Sequence, residues 1–431
     1  MVLYVNYISN IIGMDHLVIT YCLRCWIFSL GLWIEKRKVF IWLGLTVVFS
    51  EMMGKRHEEL IYFRNLVGSF LGSLVGPFLS IFYFNVVGRS FLNLSYVSVL
   101  PSFISTILSL FWAFLADSYG RYKPFIVCSS FLGSVITFML SFVNSFNDLL
   151  MIRIIGSIVG SMGSSTFPAF LSKLFDKDRE RRIGLYMTFG IIGGFVGNLI
   201  SGFLYDTYGI RVVLRFLSVA QLVPALIIIF IDERVEKKSR VGRGLFSLFM
   251  DKTFIRVFAA KSLIVIPSVL CGGLVSVYFI EYLHGSSNLW ALTTAVSSVM
   301  SASALIYGKI GSKIGDERLL LLSGLGWGVL YLCFGLVDNP ILFSLVFIIP
   351  VWPAFNIGYQ ALLMKLSDRG SRASLYSIES LLSAFYSALM GILAGYFAEV
   401  FSPRPLFILS GLIAFVSTLL AWCIVLRDLR F

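Results

Sequence analysis

The chain has 431 residues, of which 58% are hydrophobic and 13% charged, and its mean hydropathy is +0.88. So little charge cannot cover a water-soluble fold of this size, and most of the surface must therefore face lipid. The net charge of +12 does not point to nucleic acid, because the basic residues cluster in short loops between apolar runs, where they act as topology signals.

Residues 1–60 form an N-terminal extension with two apolar stretches, near 17–33 and 39–49, separated by Glu35-Lys-Arg-Lys38. The first carries Arg24, and the second is short for a bilayer core. A processed signal peptide does not fit, since the charge block follows the first apolar run. Extra helices, interfacial helices and a targeting segment are the alternatives.

From Ile61 the pattern is regular. Apolar runs fall at 62–86, 94–116, 123–143, 149–172, 183–205, 212–231, 254–282, 289–310, 318–337, 340–364, 374–398 and 405–426. Each is near the roughly 20 residues a helix needs to cross the hydrocarbon. These twelve spans predict an all-α membrane protein with a six-helix bundle over 61–231, a linker over 232–253 and a second bundle over 254–431. The linker holds Glu236-Lys-Lys-Ser-Arg240 and then Leu245 to Met250, a pattern suited to an amphipathic helix on the inner leaflet. Alternate loops carry nineteen bases against three, which puts both ends of the twelve-span unit in the cytosol.

The polar turn after the second span is Ala113-Phe-Leu-Ala-Asp117-Ser-Tyr-Gly120-Arg121-Tyr-Lys123. Gly120 supplies the positive φ of a reversal, while Arg121 and Lys123 lie beside headgroups. It has echoes at Gly202 to Asp206 and Gly209, at Gly308 to Ser312 and Gly315, and at Gly395 to Glu399 and Ser402. One such turn every three spans means three-helix units of alternating orientation nested in two six-helix halves. Glycines three or four apart, as in Gly190 to Gly197 and at Gly391 and Gly395, mark close helix approaches.

Charges inside spans are the functional candidates, because burying one is expensive. They are Glu379, Arg153, Arg215 and Lys261; the bases can snorkel, but the short Glu379 needs a partner or a proton. Pro77, Pro168, Pro267, Pro350 and Pro353 are expected to interrupt helices, and Trp352, Asn356, Tyr359 and Gln360 to line a cavity for an organic solute. The six cysteines and three histidines have no supporting ligand or catalytic pattern, so no cofactor, metal or enzymatic activity is expected. The triplet Asn93-Leu-Ser95 is the candidate glycosylation site, in the first outer loop.

The Asp117–Lys123 turn and its spacing resemble the signature between the second and third helices of the major facilitator superfamily. That resemblance implies two halves rocking about a central site, with Asp117 acting as a clasp toward Arg121, Lys173 or the start of the eleventh helix near Ser374. Leu100-Pro101, Arg181-Arg-Ile-Gly-Leu185, Gln360 to Leu366 and Ser377-Ile-Glu379 resemble solute carrier family 46, the group of the proton-coupled folate transporter and the thymic stromal cotransporter. This narrower likeness implies a monomeric symporter for an anionic, folate-like or other amphipathic metabolite. Met187 stands where that family's coupling acid falls, and the first outer loop is shorter than the family's. A drug exporter and a transporter-like receptor that no longer cycles are the alternatives.

Overall fold

The computed structural model describes residues 57–175, 179–231, 233, 252–366 and 372–426; the expected extension before 57 and most of the 232–253 linker lie outside them. In lipid every backbone N–H and C=O must be satisfied within the chain, and the answer is helical throughout. The helices are α1 His57–Val86, α2 Phe91–Tyr119, α3 Lys123–Leu140 and α4 Phe146–Leu174. The segment Arg179–Ala220 breaks at Gly209 into α5 and α6, and α6 runs on through Leu222–Ile229. Then follow α7 Lys252–Cys271, prolonged by Val275–Val277 and Tyr278–Tyr282, and α8, made of Ser287–Met300 and Ala304–Ile314. The last four are α9 Asp316–Leu336, α10 from Pro340–Phe347 and Val351–Leu366, α11 Arg372–Phe401 and α12 Pro403–Leu426. Among the described residues, eleven stretches are long and apolar enough to cross a membrane, and one of them, Arg181–Ile229, has 49 residues and supplies two spans.

The sequence repeat is written in the backbone. Gly120, Gly209 and Gly315 have φ of 71°, 71° and 96°, and Ser402, at the fourth equivalent turn, has φ 67°. The serine takes the positive φ that the other three turns assign to glycine, of which Gly120 has ψ 9° while Gly209 and Gly315 have ψ 153° and 144°.

Prolines behave differently from expectation. Pro77, Pro168 and Pro267 lie inside continuous helices, and the Pro77 carbonyl accepts the Trp290 indole N–H at 3.0 Å. Proline leaves unbonded the carbonyl four residues before it, so the bond from Trp290 joins two helices and does not replace the one that Pro77 removes. The breaks fall at Gly272–Gly273 in α7, at the 3-10 turn Ser301–Ser303 in α8, and just before Val351 in α10, where Pro350 does end a helix.

The halves meet where α2 packs on α11 and α5 on the first segment of α8. From Ala304 onward α8 packs on α9 and α10 instead. Closure is therefore concentrated at the end of the molecule that carries Gly209, opposite the end that carries Gly120. Small residues make this packing possible: a Cβ on Gly395 would strike Ser95 and the Phe91 carbonyl of α2.

Candidate functional site

Three features could serve transport: two sets of polar contacts at opposite ends, an intramembrane ion pair, and two cavities between them.

At the Gly120 end, the C-cap Gly120 N–H closes α2 on Ala116 and Asp117 carbonyls. The Asp117 carboxylate accepts from Tyr122 Oη at 2.7 Å, and Arg121 is exposed. Lys123 Nζ donates to the carbonyls of Ile229 at 2.6 Å and Ile231 at 2.9 Å, capping α6. In return Glu233 accepts from the N–H groups of Tyr122 at 2.6 Å and Lys123 at 3.0 Å, capping α3. Lys173 lies 4.6 Å from the Tyr122 ring centre. All of these contacts stay within the first half, so this arrangement holds Asp117 on Tyr122 and not on α11. The side chain of Ser374 lies outside the described residues.

At the Gly209 end, the equivalent acids reach across the halves. Glu399 Oε2 accepts from Phe91 N at 2.6 Å and Leu92 N at 3.4 Å, at the first turn of α2. Asn288 of α8 donates to Asp206 at 3.4 Å, and Arg89 lies 3.5 Å from Glu281. Gly308 lies within α8 with open space where a Cβ would stand, and Gly315 forms the turn into α9. Asn93 is not in a loop: Ser90 caps α2 and accepts from Asn93 N at 3.2 Å, so the glycosylation triplet starts in the first helical turn, with Asn93 half-buried and Leu94 and Ser95 buried.

The intramembrane charges sort into two kinds. Lys261 Nζ and Glu379 Oε1 pair at 2.9 Å, with side chains only 12% and 15% exposed. Ser383 donates to the same carboxylate oxygen at 2.7 Å and also contacts Lys261. Lys261 also lies 5.3 Å from the Tyr359 ring centre, so of the residues singled out in the sequence the base pairs with the acid and the tyrosine stands behind the base. Arg153, by contrast, faces the Tyr83 ring at 5.1 Å with its Nε buried and without an acceptor among the described residues. Arg215 bonds the Ser141 hydroxyl at 3.3 Å and covers Phe142. Arg64 is a further intramembrane base, 4.2 Å from the Phe167 ring centre, that the hydropathy reading passed over because its flanks are so apolar.

The first cavity, about 410 Å³, lies between α2, α7 and α11 and is rich in hydroxyls, among them Ser98, Ser102, Ser380 and Ser383. The second, about 520 Å³, is walled by α1, α5, α7, α8, α9 and α10, with Asn198, Trp327 and Trp352 among its lining. The α7 break at Gly272 and Gly273 touches both. Breaks of α8 at Ser301 and α10 at Pro350 also reach the second, so discontinuous helices converge there. Neither Asn356 nor Gln360 lines either cavity; Tyr359 is buried in a stack on Phe355.

Two halves built from repeated units, touching at one end and flanking two largely apolar cavities with hydroxyls among their lining, define a membrane carrier for small solutes. The sequence profile of the Major Facilitator Superfamily matches residues 61–284 and 268–430, and the chain belongs to that family. Among curated relatives, the multidrug resistance protein MdtG of Rahnella sp. (strain Y9602) is 26% identical over 300 residues, covering 64% of this chain and 73% of the relative. The multi-drug resistance efflux pump PmrA of Streptococcus pneumoniae serotype 4 is 25% identical over 364 residues, 80% of this chain and 90% of the relative. Of solved structures, a nucleoside transporter NupG superposes with TM-score 0.76 at 13% identity, over 86% of this chain and 100% of that one. An inward-facing bacterial homologue of the human lysosomal transporter Spinster gives 0.67 at 15%, over 86% and 97%. The chain is an integral membrane protein, and its function is secondary transport of small organic solutes across the bilayer.

Proposed function

We propose that the chain moves its solute by rocking residues 61–231 against 254–431 about the paired cavities, with 232–253 as connector and the Gly120 end in the cytosol. The observation that carries this reading is the closure across halves at the Gly209 end by Glu399 and Asp206, while Asp117 is held within its own half. On that orientation the structure is open to the cytosol. Asp117 would engage α11 in the opposite state, and Lys261–Glu379 would be the pair that solute or proton breaks.

Direction is the finer question. The resemblance to solute carrier family 46 favours inward, proton-coupled movement by a monomer at the plasma or endolysosomal membrane, with Glu379 as coupling acid. The relatives named as multidrug exporters favour outward movement of amphipathic compounds. Reconstituted vesicles separate the two. A labelled mixture of folates, other anionic metabolites and uncharged drugs is presented outside or loaded inside, with a pH gradient of either sign. Uptake driven by external acid supports the first reading and gradient-driven efflux the second. Movement in neither direction with a folded protein overturns both.

A further inference from the structure

The second cavity pairs an aromatic shelf with a row of uncharged hydrogen-bonding groups. Trp352 is 54% exposed, yet its indole is held nearly parallel to Trp327 (centroids 5.9 Å, planes 25° apart) and to Phe355 (5.8 Å, 28°). Phe355 in turn stacks on Tyr359 at 6.0 Å and 10°, so the shelf is braced from behind. The same cavity is lined on α5 and α8 by Asn198, Ser297 and Ser301. Asn198 spends its amide nitrogen on Ser298 Oγ at 3.0 Å and the Thr294 carbonyl at 3.4 Å, which leaves its side-chain oxygen as an acceptor. Among the described residues no charged side chain lines the cavity. Lys261 and Glu379, outside that lining, pair with each other.

A cavity so built rewards a flat ring with a polar edge and penalises a formal charge, which would lose water and find no counter-ion. We propose that this cavity is the recognition site for an uncharged planar heteroaromatic solute, stacked on Trp352 with its hydrogen-bonding edge toward Asn198 and the α8 hydroxyls. The inference rests on the carrier reading above and differs from the anionic solute that the family resemblance implies.

The test uses full-length protein in lipid nanodiscs and two matched pairs of probes at neutral pH: quinoline-4-carboxamide with quinoline-4-carboxylate, and adenosine with its 5′-monophosphate. Calorimetric titration should show the uncharged member of each pair binding about tenfold tighter or more, and Trp352→Ala should weaken it by about tenfold. Trp352→Phe keeps a ring and should retain most of the affinity, and Trp422→Ala, on α12 outside both cavities, should change nothing. Equal or tighter binding of the charged members, unchanged affinity in Trp352→Ala, or no binding by either pair overturns the proposal. If vesicles move other solutes while neither pair binds, this inference falls and the carrier reading stands. If nothing moves and nothing binds, both fall.

Discussion

The Glu399 carboxylate at the end of α11 caps the start of α2 through Phe91 N, at 2.6 Å, and so ties one half of the molecule to the other. Asp117 is its counterpart: α2 ends at Asp117 on the side where α11 begins, just as α11 ends at Glu399 where α2 begins. One of the two equivalent latches is engaged across the halves, and the other is turned to Tyr122. An acid on a helix N-terminus in partly buried surroundings contributes about 1–2 kcal/mol. Glu399→Gln should therefore shift the equilibrium away from closure at the Gly209 end by about five- to thirtyfold. Spin labels at Asn147 and Asn339, one on each half at that end, measure it; an unchanged distance distribution would remove Glu399 as a latch.

The Lys261–Glu379 pair should be costly to break from one side only. With side chains 12% and 15% exposed, either partner alone is a buried charge without compensation. Glu379→Gln should lower stability by about 3–5 kcal/mol, and Lys261→Met combined with Glu379→Gln should recover part of that loss. Thermal unfolding in one detergent gives the cycle. If Glu379 is the group through which protons couple, the double variant should transport without pH dependence; a surviving pH profile would end its candidacy. The charged and titratable groups facing it here are Lys261 and, behind Lys261, Tyr359.

Ser402 sits at φ 67° at the turn equivalent to Gly120, Gly209 and Gly315. A side chain in that region carries a steric cost that glycine lacks, so Ser402→Gly should stabilise by about 0.5–1 kcal/mol. Gly120→Ala, the reverse change at the first turn, should destabilise by about 1–2 kcal/mol. Opposite shifts in the thermal midpoint check the pair; equal signs would mean that the turns are not equivalent.

Much of this was legible in the sequence because the bilayer simplifies the code. Length of apolar run sets the spans, and the recurrence of Asp117, Asp206 and Glu399 in phase with them sets the repeat. The meeting of Lys261 with Glu379 was not, since the two lie 118 residues apart and no spacing rule connects different helices. Proline is a weak guide here, because within a bundle the surrounding helices can support one that runs through Pro77, Pro168 or Pro267. Gly272 and Ser301, where helices break around the second cavity, carry no signal as strong as proline's, whereas the break before Val351 does, at Pro350. Asn93 was read as loop because the Ser90 cap that starts α2 there is a single hydroxyl.

Asp117 and Tyr122 offer a pair of changes with opposite expected signs. Asp117→Asn removes the charge that would dock on the N-terminus of α11, so it should disfavour closure at the Gly120 end and slow turnover while leaving the amount of folded protein normal. Tyr122→Phe removes the hydroxyl that now occupies Asp117 at 2.7 Å but keeps the ring against which Lys173 rests at 4.6 Å. Freed of that partner, Asp117 should engage α11 more readily, favouring closure at the Gly120 end by about 0.5–1.5 kcal/mol, the net worth of one hydrogen bond. Accessibility to a membrane-impermeant thiol reagent at a cysteine placed at Ser102, in the first cavity, reads both from the Gly120 side: modification should speed up in Asp117→Asn and slow in Tyr122→Phe. If the two variants move the rate in the same direction, the Asp117–Tyr122 hydrogen bond is a feature of the loop alone and not half of a latch.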